Sequence, residues 1–134
     1  MYSENDLGTQ ETPITVVGME FVAGPEGNAQ ISEALGYTVH RFPTGECYHT
    51  QGGYLMSKVP DYCADEALCL DMLEKRGIIP MVLPAVKPKG AKKFEPGFVA
   101  VFETGDELHA TMPQLTEAAA VACALLSIVE ISHD

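Results

Sequence analysis

Several stretches of the chain carry the β-branched and apolar residues that are typical of strands. Residues 14–23 form the first of them, and residues 78–83 form a shorter one later in the chain. Between the two, residues 37–54 carry spaced aromatic side chains that are interrupted twice by proline or glycine. This pattern predicts two or three short strands.

The clearest strand pattern lies in the second half of the chain. Residues 98–102 are a continuous apolar run, and residues 107–112 return with further apolar side chains. Gly105 lies between the two runs in a Gly-Asp pair, which is a common turn sequence. We therefore predict a β-hairpin.

Three further segments place apolar residues at helical spacing. Residues 28–35 begin at Asn28, whose residue type often caps helices. Residues 63–76 carry one apolar stripe and end in two basic residues, which is favourable at the carboxyl end of a helix. Residues 116–130 begin at a capping residue, Thr116. These segments predict three helices.

The third predicted helix is apolar on all sides over residues 118–126. Such a helix has to be covered on more than one side, either deep inside the domain or at a subunit interface. Its small side chains allow close approach by a second chain. We expect a homodimer or a larger homo-oligomer with Ala118, Ala122, Leu125 and Leu126 near the interface.

Together these elements predict an α+β fold, in which one antiparallel sheet of about four or five strands packs against three helices. Residues 1–12 are polar and acidic and predict a flexible arm. Residues 13–134 are long enough for a single domain with one core.

Charge and apolar run length exclude several classes of protein. The 134 residues include 19 acidic and 8 basic side chains, for a net charge of -11. This balance disfavours general binding to nucleic acid phosphates. No apolar run reaches the roughly 18 residues that a membrane span needs, and the amino terminus has no signal-peptide character. We therefore expect a soluble cytoplasmic protein.

Cysteine and histidine offer a weak candidate for metal or thiol chemistry. The four cysteines include no C-x-x-C pair, so a disulfide framework and a closed zinc site are not expected. His40, Cys47 and His49 flank the turn at Pro43 and include two ligand types that zinc prefers. They lack a fourth ligand and an orienting acid. We expect polar strand residues beside a turn, with no bound metal and no cofactor.

The chain contains none of the motifs that usually mark an enzyme. It lacks the G-x-G-x-x-G, P-loop, H-E-x-x-H and G-x-S-x-G patterns. Its paired carboxylates lie where helix starts and turns normally carry acids. An enzyme is therefore disfavoured, and a small hydrolase built from scattered acids is a minor alternative.

Basic residues are concentrated in one segment of this acidic chain. Four of the eight bases fall between positions 87 and 93, where Gly90 allows close approach of the backbone to a ligand. Lysines can hold a compact phosphate, and aromatic rings offer a stacking surface to a base. The alternative is an ordinary solvated loop. The candidate ligand-binding residues are Lys87, Lys89, Lys92, Lys93, Phe94, Tyr48 and Tyr54.

Three short motifs lie at or near the predicted helix ends: Ala34-Leu35-Gly36-Tyr37, Pro60-Asp61-Tyr62-Cys63-Ala64-Asp65 and Thr116-Glu117-Ala118-Ala119. Over about residues 26–130, the chain with these motifs resembles the phage ABA sandwich domain family. The resemblance implies a helix, a second helix led by proline and tyrosine, an antiparallel sheet and a closing helix led by threonine and an acid. It also implies a phage setting and leaves the activity open.

Two hypotheses for function follow. The first is a phage-encoded, non-catalytic binding protein that counteracts host defence in the bacterial cytoplasm by sequestering a nucleotide-type signalling molecule. The lysine segment would hold its phosphates. The second is an acidic inhibitor that binds a host defence protein, for example by mimicking nucleic acid. Neither hypothesis requires a membrane.

Overall fold

The computed structural model describes residues 13–51, 56–85 and 96–131. Within these ranges it has three helices and two sheets, so the α+β class is confirmed. The predicted amino-terminal arm, residues 1–12, lies outside the described residues. In chain order the elements are β1 (Ile14–Val17), α1 (Pro25–Ala34), β2 (Thr38–Arg41), β3 (Cys47–Thr50), β4 (Ser57–Lys58), α2 (Glu66–Glu74), β5 (Met81–Pro84), β6 (Phe98–Thr104), β7 (Glu107–Thr111) and α3 (Glu117–Ile131).

The strands divide between two sheets, whereas the sequence predicted one. A four-stranded sheet has the order β1-β7-β6-β5, and a three-stranded sheet has the order β2-β3-β4. The predicted hairpin is present as β6 and β7, with Thr104 paired to Glu107 across the turn. Strand β1 runs parallel to β7, while the other neighbouring strands are antiparallel.

The helices begin at different residues from those predicted, for local reasons. Helix α1 begins earlier because Pro25 suits a first helical position, where no amide hydrogen bond is lost. Asn28 is not its cap, since its side chain bonds Asp61 and Cys63 instead. Helix α2 begins later than predicted because the Asp65 carboxylate accepts a hydrogen bond from the Leu68 amide at 3.1 Å.

Helix α3 forms the centre of the core. The four-stranded sheet contacts it on one side, and α1 and α2 contact it as well. Ala122 and Leu125 are fully buried and Leu126 is 6% exposed within this single chain, while Ala118 is half-buried. The structure therefore favours a helix deep in the domain. Ala122, Leu125 and Leu126 retain almost no exposed surface in the single chain, and the predicted subunit interface at α3 stays a prediction.

The apolar character of α3 is consistent with this interior position. No helix within residues 13–51, 56–85 and 96–131 is long and apolar enough to cross a membrane. The threonine cap predicted for α3 is confirmed, because the Thr116 hydroxyl accepts a hydrogen bond from the Ala119 amide at 3.0 Å. That cap also fixes where the connection from β7 reaches the helix, which shapes the site described next.

Candidate functional site

A cleft of about 680 Å³ lies where the starts of the three helices approach one another. Its lining includes Gly24 and Thr116, which directly precede α1 and α3, and Ala64, which lies two residues before α2. The other walls come from the connection between β1 and α1 and from the connection between β7 and α3. The amino-terminal ends of helices carry partial positive charge and free amide groups. The cleft is therefore bordered by three such ends.

Glycine at position 27 allows α1 to approach the wall of the cleft. A Cβ atom at Gly27 would collide with the backbone carbonyl of Val22 and would lie 3.1 Å from the ring of Phe21. The cap residue Gly24 makes no side-chain hydrogen bond to the first turn of α1. The first amides of this helix are thus not capped by a side chain, which suits contact with an acceptor group of a ligand.

The rim of the cleft is apolar and open to solvent. Met19, Val22 and Leu115 line it and are among the most exposed large apolar side chains of the described chain. Phe21 lies deeper and is buried. Exposed apolar side chains grouped around a concave surface are typical of a binding site rather than of ordinary surface.

Polar groups enter the cleft from the turn before α2. The Asp61 carboxylate accepts a hydrogen bond from the Asn28 amide nitrogen at 3.0 Å, and the Asn28 side-chain oxygen accepts one from the Cys63 backbone at 2.8 Å. The Cys63 thiol donates to the Gly24 carbonyl at 3.7 Å. Burial raises the pKa of that thiol, which keeps it protonated and weakly nucleophilic. This network fixes the cleft wall and offers a carboxylate acceptor.

The residues on either side of the lysine segment lie close together. The Ala85 amide donates a hydrogen bond to the Gly97 carbonyl at 2.8 Å. Pro96, which follows the segment directly, lines the cleft. The predicted ligand-binding residues Lys87, Lys89, Lys92, Lys93, Phe94 and Tyr54 lie outside the described residues.

Tyr48, the remaining predicted ligand-binding residue, is not part of the cleft lining. It lies on β3 opposite His40, and its ring packs edge-on against Phe42 with ring centres 5.4 Å apart. The structure therefore does not bring Tyr48 to the cleft.

His40, Cys47 and His49 do not converge. In the register of β2 and β3, His40 pairs with Tyr48, whereas His49 pairs with Val39. Since neighbouring residues of a strand point to opposite faces, His40 lies on the face away from Cys47 and His49. Among the residues that the structure describes, no three His, Cys, Asp or Glu side chains group closely enough to hold a metal ion. The candidate zinc and Cys–His arrangements thus lose their geometric basis.

A buried Ser–His pair is the arrangement that sequence reasoning missed. Ser32 Oγ lies 2.9 Å from His49 Nδ1, and the His49 ring stacks on Tyr37 with ring centres 4.1 Å apart. Ser32 is fully buried, so a substrate cannot reach its hydroxyl. The pair holds α1 against β3. Its members are 17 positions apart in the sequence, and nothing in the sequence signalled their contact.

The buried His49 ring is expected to make stability depend on pH. Burial lowers the pKa of His49 below its ordinary value of 6.5. The unfolded chain therefore binds more protons as the pH falls through the ordinary value, and this favours unfolding. We expect the free energy of unfolding to fall between about pH 7.5 and 5.5, with a contribution of at most about 1.4 kcal/mol per pH unit from this ring.

Urea unfolding across this pH range tests the prediction. The variant His49→Asn keeps a polar atom near Ser32 but does not titrate, so its stability should depend less on pH than that of the natural protein. His40→Asn, on the opposite face of the same strand pair, should keep the natural pH dependence. Equal pH dependence in the natural protein and in His49→Asn would contradict a neutral buried ring.

Fold and cleft together define a small α+β domain with a binding-type cavity. Comparison of the chain with protein-family models, curated proteins and solved structures finds no match. Its function therefore has to be inferred from the cleft, the charge distribution and the sequence motifs.

Proposed function

We propose that the protein is a non-catalytic binding protein that holds a nucleotide-type small molecule in the cleft. In the phage setting that the resemblance implies, its role is to sequester a signalling nucleotide of a host defence system. The observation that carries the proposal is the cleft itself. Its volume of about 680 Å³ lies within the usual range for small-molecule sites, and apolar side chains and three helix starts border it.

The surroundings of the cleft match the three parts of a nucleotide. Met19, Val22 and Leu115 offer an apolar surface to a planar base. The Asp61 carboxylate is an acceptor for a ribose hydroxyl. The start of α1, whose first turn has no side-chain cap, favours phosphate oxygens. The segment that is followed directly by the cleft residue Pro96 contains four of the eight basic residues of this acidic chain and supplies concentrated positive charge.

The chemistry around the cleft supports binding without turnover. The Cys63 thiol is kept protonated by burial and donates to a backbone carbonyl. The Ser32 hydroxyl is fully buried away from solvent. A nucleophile has to be activated and also has to reach the ligand, and neither side chain satisfies both conditions. We therefore expect the ligand to be released unchanged.

A screen of signalling nucleotides tests the proposal by thermal shift and calorimetry. A cyclic or ADP-ribose-like nucleotide should raise the melting temperature and bind stoichiometrically, because a ligand that binds only the folded state stabilises it. Simultaneous replacement of Lys87, Lys89, Lys92 and Lys93 by alanine should weaken binding at least about a hundredfold, since charge-assisted phosphate contacts contribute roughly 1.5 kcal/mol or more each.

A matched pair of variants separates the cleft from the general surface. Leu115→Asp introduces a charge at the rim of the cleft, and Ile79→Asp introduces the same charge at a site outside its lining. The two residues are 82% and 83% exposed, so both substitutions should leave the fold intact. Only Leu115→Asp should weaken nucleotide binding.

Three outcomes would overturn the proposal. If no nucleotide shifts the melting temperature, or if Leu115→Asp and the four-lysine variant bind like the natural protein, the cleft is not a nucleotide site. A salt-sensitive complex with a host protein would then favour the acidic inhibitor. Recovery of a cleaved ligand after heating would show an enzyme instead of a binding protein.

A further inference from the structure

The four-stranded sheet has one face covered by the chain and one face open. Ala100 and Phe102 of β6 and His109 of β7 are buried on the side of α3. Val101, which lies between Ala100 and Phe102, and Ala110, which follows His109, lie on the opposite face because side chains alternate along a strand. We call this opposite face of β1, β5, β6 and β7 the open sheet face.

Apolar side chains occupy most of the open sheet face. One complete row crosses the sheet as Val16, Ala110, Val101 and Met81, in the pairing order of the four strands. Glu103 is the charged residue on this face of the paired strands, and it lies at one end of the sheet opposite Leu108. The apolar members are Ile14, Val16, Met81, Leu83, Val99, Val101, Leu108 and Ala110.

This pattern is unusual for a sheet that faces solvent. An antiparallel sheet with one wet face normally alternates apolar and polar residues, whereas strands covered on both faces read as continuous apolar runs. The run Phe98-Val99-Ala100-Val101-Phe102 is of the second kind. Its two outward residues are only half-buried. The sequence of this sheet is therefore typical of a sheet that is buried on both faces, and α3 covers one of them.

The apolar area exposed on the open sheet face is large enough for a protein interface. Val16 is 51% exposed and Met81 is 61% exposed, although both lie in the middle row of the open sheet face. The exposed parts of its eight apolar side chains amount to roughly 500 Å² per chain, near the upper end of the apolar patches found on monomers. Two such faces together bury about 1,000 Å², which is the lower limit for a specific protein interface.

The segments outside the described residues have the wrong composition to cover this face. Residues 1–12 contain three large apolar side chains among mostly polar and acidic residues. Residues 86–95 contain two among four lysines, and residues 132–134 read Ser-His-Asp. Residues 52–55 read Gly-Gly-Tyr-Leu. None of these four segments has the apolar run that would match eight apolar side chains.

We propose that a second copy of this chain covers the open sheet face, to give a twofold-symmetric dimer. A twofold interface has to be complementary to itself, and an apolar face with its single charge at one end meets that condition. The two sheets would pack face to face, about 10 Å apart, as in β-sandwiches. The small Ala110 and the β-branched Val101 at the centre permit such close packing.

The net charge of the protein favours a second copy of the chain over a lipid surface at the open sheet face. The net charge of -11 repels the protein from anionic membranes, and the open sheet face carries no basic residue in the described structure. The same charge opposes dimerisation through long-range repulsion, which salt screens. The dimer should therefore be tighter at about 300 mM salt than at about 20 mM salt.

Methionine oxidation in the natural protein tests the proposal without any substitution. Met81 and Met56 are 61% and 50% exposed in the single chain, but only Met81 lies on the open sheet face. With hydrogen peroxide at protein concentrations between about 1 and 100 µM, oxidation of Met81 should slow several-fold as the dimer forms, while oxidation of Met56 stays constant. Sedimentation should show the dimer over the same range.

Matched substitutions locate the interface. Met81→Glu and Val16→Glu should abolish the dimer, whereas Met56→Glu, the same change just before β4 of the three-stranded sheet, should leave it intact. The proposal is overturned if the protein is a monomer at about 100 µM, the highest concentration in the series. It is also overturned if Met81 and Met56 are protected from oxidation equally, or if the dimer persists in both Met81→Glu and Val16→Glu. Protection of Met81 by neutral phosphatidylcholine vesicles without self-association would assign the face to lipid.

Discussion

Replacement of Gly18 by alanine is expected to destabilise the protein by about 3 kcal/mol, for two reasons that add. Gly18 has φ +77, a backbone conformation that residues with a Cβ atom rarely adopt. A Cβ atom at this position would also collide with the sulfur of Cys123 in α3. Because Cys123 is fully buried at the centre of the core, its side chain has no free space to enter.

A second glycine separates the two causes. Gly77 has φ +79, almost the same as Gly18, but a Cβ atom there would have no heavy atom within 4 Å. Gly77→Ala should therefore cost only the conformational part, about 1 kcal/mol. Urea unfolding of the two variants, with the free energies extrapolated to water, measures the difference directly.

A double-mutant cycle tests whether Cys123 causes the excess. In a Cys123→Ala background the colliding sulfur is absent, and the nearest remaining atoms are Cβ atoms of Cys123 and Phe21, each at 3.9 Å. Gly18→Ala should then cost about as much as Gly77→Ala, with a coupling free energy of roughly 2 kcal/mol between positions 18 and 123. If Gly18→Ala costs no more than Gly77→Ala in the natural protein, the chain after β1 does not approach α3 as described.

Local patterns predicted the elements whose causes are local. The hairpin of β6 and β7 followed from two apolar runs and the turn at Gly105, and α3 followed from its cap and its apolar length. The start of α1 was predicted three residues too late because Asn28 resembles a cap. In the fold its side chain bonds Asp61 and Cys63, which are more than 30 residues away. A distant contact therefore overrode a local preference.

Pairings between distant segments were not predictable from local pattern. Strand β1 joins β7 in parallel, with Ile14 opposite Leu108, and an apolar run by itself does not specify its partner or direction. The three-stranded sheet is separate from the four-stranded one because β2, β3 and β4 pair among themselves. Strands β2 and β3 also pack on α1. Both outcomes depend on contacts that form only when the whole domain is assembled.

The candidate site also combines a feature that the local sequence predicts with features that depend on distant contacts. The lysine segment was visible in the sequence as a concentration of charge. The cleft was not, because its walls come from three connections that are far apart in the chain and meet only through the packing of the helices around α3. The grouping of Met19, Val22 and Leu115 at its rim has no sequence signature either. The proposal of an anionic ligand came from the composition, and the proposal of the cleft as its place came from the fold.

Replacement of Leu125 by alanine is expected to destabilise the folded chain by about 3 kcal/mol, because it leaves a cavity in the centre of a close-packed core. Leu125 is fully buried within one chain. Leu115→Ala provides the matched control. It makes the same substitution at a side chain that is 82% exposed, and it should change stability by less than about 0.5 kcal/mol.

The same variant distinguishes a core helix from an interface helix, which the sequence left open. With α3 inside the domain, Leu125→Ala should lower the free energy of unfolding even in dilute solution, where chains are separate, and should leave the dissociation constant of the dimer unchanged. Urea unfolding at low concentration and sedimentation at high concentration measure the two quantities. The reverse result, weaker self-association with nearly natural stability in dilute solution, would place α3 at the interface and would remove the basis for a dimer through the open sheet face.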